Sequence, residues 1–196
     1  MAMPAPAPAR RRWTRAEVLA LTEAAAPQAA PRYELVDGEL LVTPSPGGAH
    51  QFAVAELKRL LGNWLVDQPV GRVSGDPLDF ELEPGTIVRP DVGVVPLHEK
   101  RRLLTEMPGR ELLLVVEVLS PSSARFDRGE KRLLYQRHVP EYWIVDLDAR
   151  LFERWRPGDT RPEILHDAID WQPPGSSAAF ELSLPEFFAS VFEEST

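Results

Sequence analysis

The apolar residues of this chain fall into runs and periodic stripes that predict an α/β fold. The segment Glu111–Leu119 is almost wholly apolar and ends at a Ser-Pro pair. Such a run is typical of a strand buried on both faces of a sheet. Glu141–Leu147 has the same character, and a helix is predicted between the two from about Asp127 to His138. The order strand, helix, strand predicts a parallel pair with a right-handed crossover, and Leu151–Arg156 is expected to pair antiparallel with the second strand.

Three more helices are predicted outside this unit. Thr14 precedes Glu17 at capping-box spacing, so the first helix is expected to begin there and to run to about residue 26. The second, at about 50–66, has an apolar stripe at helical spacing. The third is predicted at 184–192, packed on the outside of the molecule.

A β-hairpin is predicted at residues 33–42. Asp37-Gly38 supplies a two-residue turn between two strands, 33–36 and 39–42. In the register that this turn sets, Glu34 and Glu39 share one face of the hairpin. Two solvated acids beside a turn are the simpler interpretation of this pair, unless a functional site lies nearby.

Two further strands are predicted between the hairpin and the long apolar run. Residues 70–82 alternate apolar and polar side chains near their end. Residues 87–95 form the next strand, and they contain Arg89-Pro90-Asp91. A proline within a strand indicates an edge or a bulge, and a bulge would re-aim the side chain of Asp91.

Length and composition restrict the class of protein. The chain has 196 residues, which predicts one domain at 14–196 after a disordered tail at 1–13. It has no cysteine, so disulfides and thiolate metal sites are excluded. No apolar run is long enough for a membrane span, and no secretory signal follows the N-terminal arginines, so a cytoplasmic protein is expected. The net charge of −8 argues against binding nucleic acid through surface charge alone.

Asp91 and Glu117 are carboxylates that interrupt apolar strands expected to be neighbours. Two such acids close together cannot both ionise cheaply without a cation. Oxygen ligands favour magnesium, manganese or calcium. The alternative for Glu117, held as equally good, is a solvated side chain at the end of its strand.

Lys131 and His50 are further candidates. The chain has nineteen arginines and only three lysines, and Lys131 lies one turn into the helix that follows the Glu117 strand. An ammonium there could position a water molecule, whereas the equally weighted alternative is an Asp127–Lys131 pair on a solvated helix face. His50 begins the inward face of the second helix, where a buried and satisfied histidine is favoured over a functional one.

The order of these motifs resembles the Uma family of endonucleases. The resemblance covers about residues 14–156. It rests on five pieces in sequence order: the hairpin Tyr33–Glu39, then Pro90-Asp91, Val116–Ser122, the helix with Asp127, Lys131 and Tyr135, and Glu141–Asp146. Each piece alone is weak, but their combination is specific.

This resemblance implies the restriction-endonuclease-like fold of the PD-(D/E)XK superfamily, with a mixed sheet flanked by helices and an N-terminal helix and hairpin extension. In that superfamily the acids at Asp91 and Glu117 bind a divalent metal, and a lysine assists the nucleophilic water. Here the usual lysine position holds Leu119, so Lys131 is the candidate replacement. The resemblance makes Glu34 the favoured additional acid, with Glu39 and His50 weaker.

The leading hypothesis is a Mg²⁺- or Mn²⁺-dependent endonuclease that hydrolyses DNA. Asp91, Glu117 and the carbonyl of Val118 would hold the metal, Glu34 would support it, and Lys131 would orient the water. A second hypothesis is an inactive nuclease fold that serves as a binding or regulatory module. A third is a metal-dependent enzyme for a small phosphoester. DNA is the expected partner, a membrane is not, and a homodimer is left open.

Overall fold

A computed structural model describes residues 11–24, 31–44, 47–74, 79–97 and 111–193. The first half contains α1 (Arg15–Ala24), β1 (Arg32–Val36), β2 (Glu39–Thr43), α2 (Gly48–Asp67), β3 (Gly71–Val73) and β4 (Val92–Pro96). The second half contains β5 (Leu114–Val118), α3 (Ala124–Arg128), α4 (Glu130–His138), β6 (Tyr142–Asp146), β7 (Leu151–Trp155), β8 (Glu163–Leu165), β9 (Ala168–Trp171), β10 (Phe180–Ser183) and α5 (Leu184–Phe192).

The central sheet has six strands in the order β3-β4-β5-β6-β7-β8. Strands β5 and β6 are parallel, as the strand–helix–strand order predicted, and β7 pairs antiparallel with β6. All five residues of β5 are buried, because helices and loops cover both faces of this strand. The predicted mixed sheet flanked by helices is therefore confirmed.

Two apolar layers cover the faces of the sheet. On one face α2 and α5 pack with the β9–β10 hairpin against alternate residues of β4 to β7, Val116 and Val118 among them. On the other face α4 packs with the β1–β2 hairpin against Val115 and its neighbours. Glu117 alternates with Val116 and Val118, so its side chain lies on the face of α4 and the hairpin.

The β1–β2 hairpin has the predicted register, in which Glu34 lies opposite Leu41. Both of its faces are covered, since Leu35 packs with α1 while Val36 and Leu41 belong to the layer with α4. The predicted capping box of α1 is also present, with the Thr14 N–H donating to Glu17 at 2.8 Å. The hairpin is thus packed between α1 and the apolar layer that contains α4.

Four predicted elements differ from the structure. The strand expected at 70–82 is limited to β3, and Phe80 forms only an isolated bridge with Val88, while residues 75–78 lie outside the described part of the chain. The strand expected at 87–95 begins later, at Val92, because Pro90 has no N–H to contribute to a ladder.

The helix expected at 127–138 is interrupted at Gly129, where the backbone has φ −105° and ψ −105°. Asp127 is therefore a buried residue within α3 and not the first residue of a longer helix. The last helix, α5, has the predicted bounds. It is not packed on the outside, since Leu184, Phe187, Phe188 and Val191 are buried in the main core.

Candidate active site

Asp91 and Glu117 lie side by side at one end of the central strands. Strands β4 and β5 are antiparallel with Val92 opposite Val116, which places Asp91 opposite Glu117, one residue before the ladder begins. The Asp91 N–H donates to Glu117 Oε2 at 3.4 Å. Both side chains are buried, so the alternative of a solvated Glu117 is wrong.

Lys131 reaches into the same site from the first turn of α4. Its Nζ lies 2.9 Å from Glu117 Oε1, 2.9 Å from Glu34 Oε2 and 3.3 Å from Asp127 Oδ1. The lysine side chain is 3 % exposed. The alternative of a solvated Asp127–Lys131 pair is therefore wrong, because three buried carboxylates surround one buried ammonium.

Glu34 closes the site from the hairpin side. Its second oxygen accepts the backbone N–H of Arg89 at 2.8 Å. Glu34 is 1 % exposed, so it is not the solvated acid that its position beside a turn suggested. Glu39, by contrast, is half-buried and lines a separate pocket with Asp37 and Glu130.

Asp91 is held by donors from three directions. The Val118 N–H donates to Oδ2 at 2.9 Å, and His50 Nε2 lies 3.2 Å from the same oxygen. Arg32 donates to Oδ1 at 2.8 Å. His50 thus contacts a carboxylate of the site, and no described residue hydrogen-bonds its buried Nδ1.

These contacts separate the pKa values of the two strand acids. Burial alone would raise the pKa of Asp91, but the contacts with His50, Arg32 and the Val118 N–H lower it below its ordinary value. Burial raises the pKa of Glu117 well above its ordinary value, and Lys131 only partly opposes this effect. Burial opposes charging of Lys131 too, yet the surrounding carboxylates raise its pKa, so its ammonium stays protonated.

Tyr135 and Asp127 belong to the site although neither was among the predicted site residues. The Tyr135 hydroxyl donates to Glu117 Oε1 at 2.9 Å, the oxygen that also contacts Lys131. Oε1 thereby has two donors, whereas Oε2 accepts the Asp91 N–H at 3.4 Å. The helical spacing of Asp127, Lys131 and Tyr135, four residues apart, was the available signal for both.

Arg32 was also missed. It lies two residues before Glu34 on β1, and residues at this spacing share one face of a strand. The alternation that placed Glu34 could therefore have placed Arg32 beside it.

The charges of the site suit a divalent cation. Within the described part of the chain, four carboxylates meet two permanent cations here: Glu34, Asp91, Glu117 and Asp127 against Arg32 and Lys131. Four negative and two positive charges leave −2 when every carboxylate is ionised and His50 is neutral. These groups, apart from Glu34, line a pocket with free space for about one water molecule.

The donor chemistry agrees with magnesium or manganese, since the acids offer only oxygen. Among the described residues, no group of three carboxylates or imidazoles is arranged to hold a metal ion by itself. Magnesium needs no such set, because it usually binds one or two protein carboxylates and keeps several waters. Asp91 and Glu117, which lie side by side on adjacent strands, offer such a pair of carboxylates.

The structure is a mixed α/β fold in which two buried acids lie at the ends of adjacent central strands and a buried lysine on α4 lies beside them. The chain belongs to the Uma2 family, described as "Putative restriction endonuclease", whose family model matches residues 16–191. An uncharacterized protein of Synechocystis sp. is 26% identical over 159 residues, covering 80% of this chain and 86% of that protein.

A crystal structure of a "putative nuclease belonging to DUF820" from Anabaena variabilis has the same fold. It superposes with a TM-score of 0.65 at 22% identity, covering 82% of this chain and 92% of that one. None of the described helices is both long and apolar enough to cross a bilayer.

Proposed function

We propose that this protein is a divalent-metal-dependent endonuclease that hydrolyses phosphodiester bonds of DNA. The observation that carries the proposal is the buried group formed by Asp91, Glu117 and Lys131. It combines two acids on adjacent strands with an ammonium 2.9 Å from one of them. Burying these charged groups costs free energy, and apolar side chains of the same size would not carry that cost. Stability of the core alone therefore does not explain this combination.

The reaction is the addition of water across a P–O ester bond, which leaves a phosphomonoester end and a hydroxyl end. Asp91, Glu117 and the Val118 carbonyl would hold Mg²⁺ or Mn²⁺. When bound, such an ion stabilises negative charge on phosphate oxygens and makes water more acidic.

The chain's own residues supply the rest of the chemistry. The Lys131 ammonium lies beside Glu117, where it can hold the attacking water in line and offset the charge that develops on the phosphate. Glu34 and Asp127 keep this ammonium in place through ion pairs of 2.9 and 3.3 Å. Lys131 therefore takes the role that the superfamily gives to a lysine at the position of Leu119.

The test is cleavage of supercoiled and linear DNA by the purified protein with Mg²⁺ or Mn²⁺, compared with a chelator. Glu117→Gln, which preserves shape and removes charge, should abolish cleavage while the far-UV circular dichroism remains that of the parent. An isothermal titration with Mn²⁺ should show binding by the parent and much weaker binding by this variant. A parent that binds Mn²⁺ and DNA but cuts neither form would favour the binding-module alternative instead.

A further inference from the structure

We propose that Arg32 competes with the divalent cation for Asp91, and that the displaced guanidinium then binds a phosphate of the substrate. This inference rests on the proposed function and adds a substrate-contacting residue to it. Nothing in the superfamily motif of two acids and a lysine assigns a role to the residue at this position.

The side chains of Arg32 and Asp91 are in direct contact. Arg32 donates to Asp91 Oδ1 at 2.8 Å and to the Arg89 carbonyl at 3.0 Å. The remaining oxygen of Asp91 already accepts the Val118 N–H and faces His50. Oδ1 is therefore the less occupied oxygen of this carboxylate, and Arg32 lies on it. A cation that approached Asp91 would meet the guanidinium there.

The charges around Arg32 are those of the acids in the site. Arg32 lies in the field of Asp91, Glu117 and Glu34, which raises its pKa although burial alone would lower it. The guanidinium is thus attracted by the same acids as a divalent ion would be. Two cations that share one group of acids repel each other, so each should weaken the binding of the other.

Arg32 lies at the rim of the site. Its side chain is 24% exposed, whereas those of Asp91 and Lys131 are each 3% exposed. Arg32 lines the pocket together with Thr43 and Pro44 from the hairpin side. A guanidinium released from Asp91 would remain at the pocket mouth, where its fork of N–H donors matches the oxygens of a phosphate.

The first measurement is the affinity for Mn²⁺ alone, by isothermal titration. Arg32→Gln should bind Mn²⁺ about tenfold more tightly than the parent, the effect of a unit charge about 6 Å from a divalent ion even in water. Arg32→Lys should stay close to the parent, since it keeps the charge. If the substitution only disturbed the local structure, Mn²⁺ binding would weaken or stay unchanged. Unchanged or weaker Mn²⁺ binding by Arg32→Gln therefore overturns the competition.

Arg89→Gln is the matched control. Arg89 carries the same charge two residues from Asp91, but its guanidinium binds Asp79 at 2.7 and 3.0 Å. Removing it should change Mn²⁺ affinity by less than about twofold, because this charge is already paired outside the acid group. A gain in affinity as large as that of Arg32→Gln would overturn the inference, since it would show a general effect of net charge.

The second measurement is binding of a short DNA duplex by fluorescence anisotropy, with Ca²⁺ as the cation. Arg32→Gln should bind the duplex about tenfold or more weakly despite its tighter cation binding, and Arg32→Lys should lose part of this affinity because it lacks the fork. Equal DNA affinity in Arg32→Gln and the parent overturns the phosphate contact.

The same measurements distinguish failure of the proposed function from failure of the role of Arg32. A parent that binds Mn²⁺ and DNA as described but does not cleave would refute hydrolysis and leave the role of Arg32 standing. Absence of Mn²⁺ binding in both the parent and Arg32→Gln would refute both.

Discussion

Replacing Lys131 with methionine removes one buried positive charge while keeping most of the side-chain volume. In the parent this ammonium is within 3.3 Å of three carboxylates, those of Glu34, Glu117 and Asp127. Removing one partner of a buried ion pair typically costs about 3–5 kcal/mol, whereas an exposed pair contributes about 0–1 kcal/mol. Since the whole domain is expected to be stable by only about 5–15 kcal/mol, the loss should be large at neutral pH.

The loss of stability in Lys131→Met should depend on pH in a defined direction. Burial already raises the pKa of Glu117 above its ordinary value of 4.5, and without the ammonium it should rise further. A raised folded pKa makes the free energy of unfolding fall as pH rises above about 4.5 in both proteins. The Glu117 carboxyl ionises at a lower pH in the parent than in the variant, so this fall continues further in the variant. The variant should therefore be closest to the parent in stability near pH 4–5 and furthest from it near pH 7.

The assay is urea unfolding followed by circular dichroism at several pH values. Lys58→Met is the control, because Lys58 is a half-buried lysine on α2 outside the site. Cleavage of DNA by Lys131→Met at pH 7 should fall by roughly two or more orders of magnitude under conditions where the variant is still folded. Equal unfolding midpoints for Lys131→Met and Lys58→Met at every pH, or cleavage at the parent rate, would refute the reasoning.

Three further predictions concern the acids and their donors. Glu34→Gln should weaken Mn²⁺ binding in an isothermal titration without unfolding the protein, and unchanged affinity would leave Glu34 with no part in metal binding. Tyr135→Phe should lower the cleavage rate by about 10–100-fold because Glu117 loses an orienting donor. Tyr142→Phe should not, since the equally buried Tyr142 donates to the Asp127 carbonyl instead. Asp91 has a lowered pKa in the fold, so it adds stability that is present above its unfolded value of 3.8 and lost below it. Asp91→Asn should therefore flatten the acid limb of a plot of unfolding free energy against pH, and an unchanged limb would contradict this.

The central strands could be predicted because each is a short apolar run of strand length. Leu114–Val118 and Tyr142–Asp146 are almost wholly apolar, and a segment buried on both faces must be so. The hairpin register was equally determined, since Asp37 and Gly38 both take positive φ values, at 50° and 76°, as the two-residue turn requires.

Shorter elements were missed for a physical reason. β8 has only three residues and is largely exposed, so it has no apolar pattern to detect. β9 and β10 did carry a signal, because Ile169 and Trp171 alternate with exposed residues and so do Phe180 and Leu182. Their pairing across the α2 face of the sheet depends on contacts with α5 that no local pattern contains.

The site residues likewise differ in how far their own segment of sequence identifies them. Asp91 and Glu117 were identifiable because a carboxylate inside an apolar strand is unusual by itself. Arg32 and Asp127 are ordinary charged residues in their own segments, an arginine at a strand start and an acid in a short helix. Strand alternation with Glu34 and helical spacing with Lys131 indicate which side chains they accompany. Their contacts with Asp91 and Lys131 depend on how the hairpin, β4 and α3 meet, which the sequence around each residue does not describe.

Leu119 illustrates how charge balance constrains such a site. Glu117 and Leu119 share a face of their chain segment, so a lysine at the position of Leu119 would approach the acids from the strand. Lys131 instead approaches from α4, and Leu119 packs in the apolar layer beside that helix. Lysines at both positions would reduce the net charge of the site from −2 to −1 and weaken its attraction for a divalent ion. A single ammonium, from either segment, leaves the net charge that would attract such an ion, so this charge balance favours an uncharged residue at the position of Leu119 once the lysine lies on the helix.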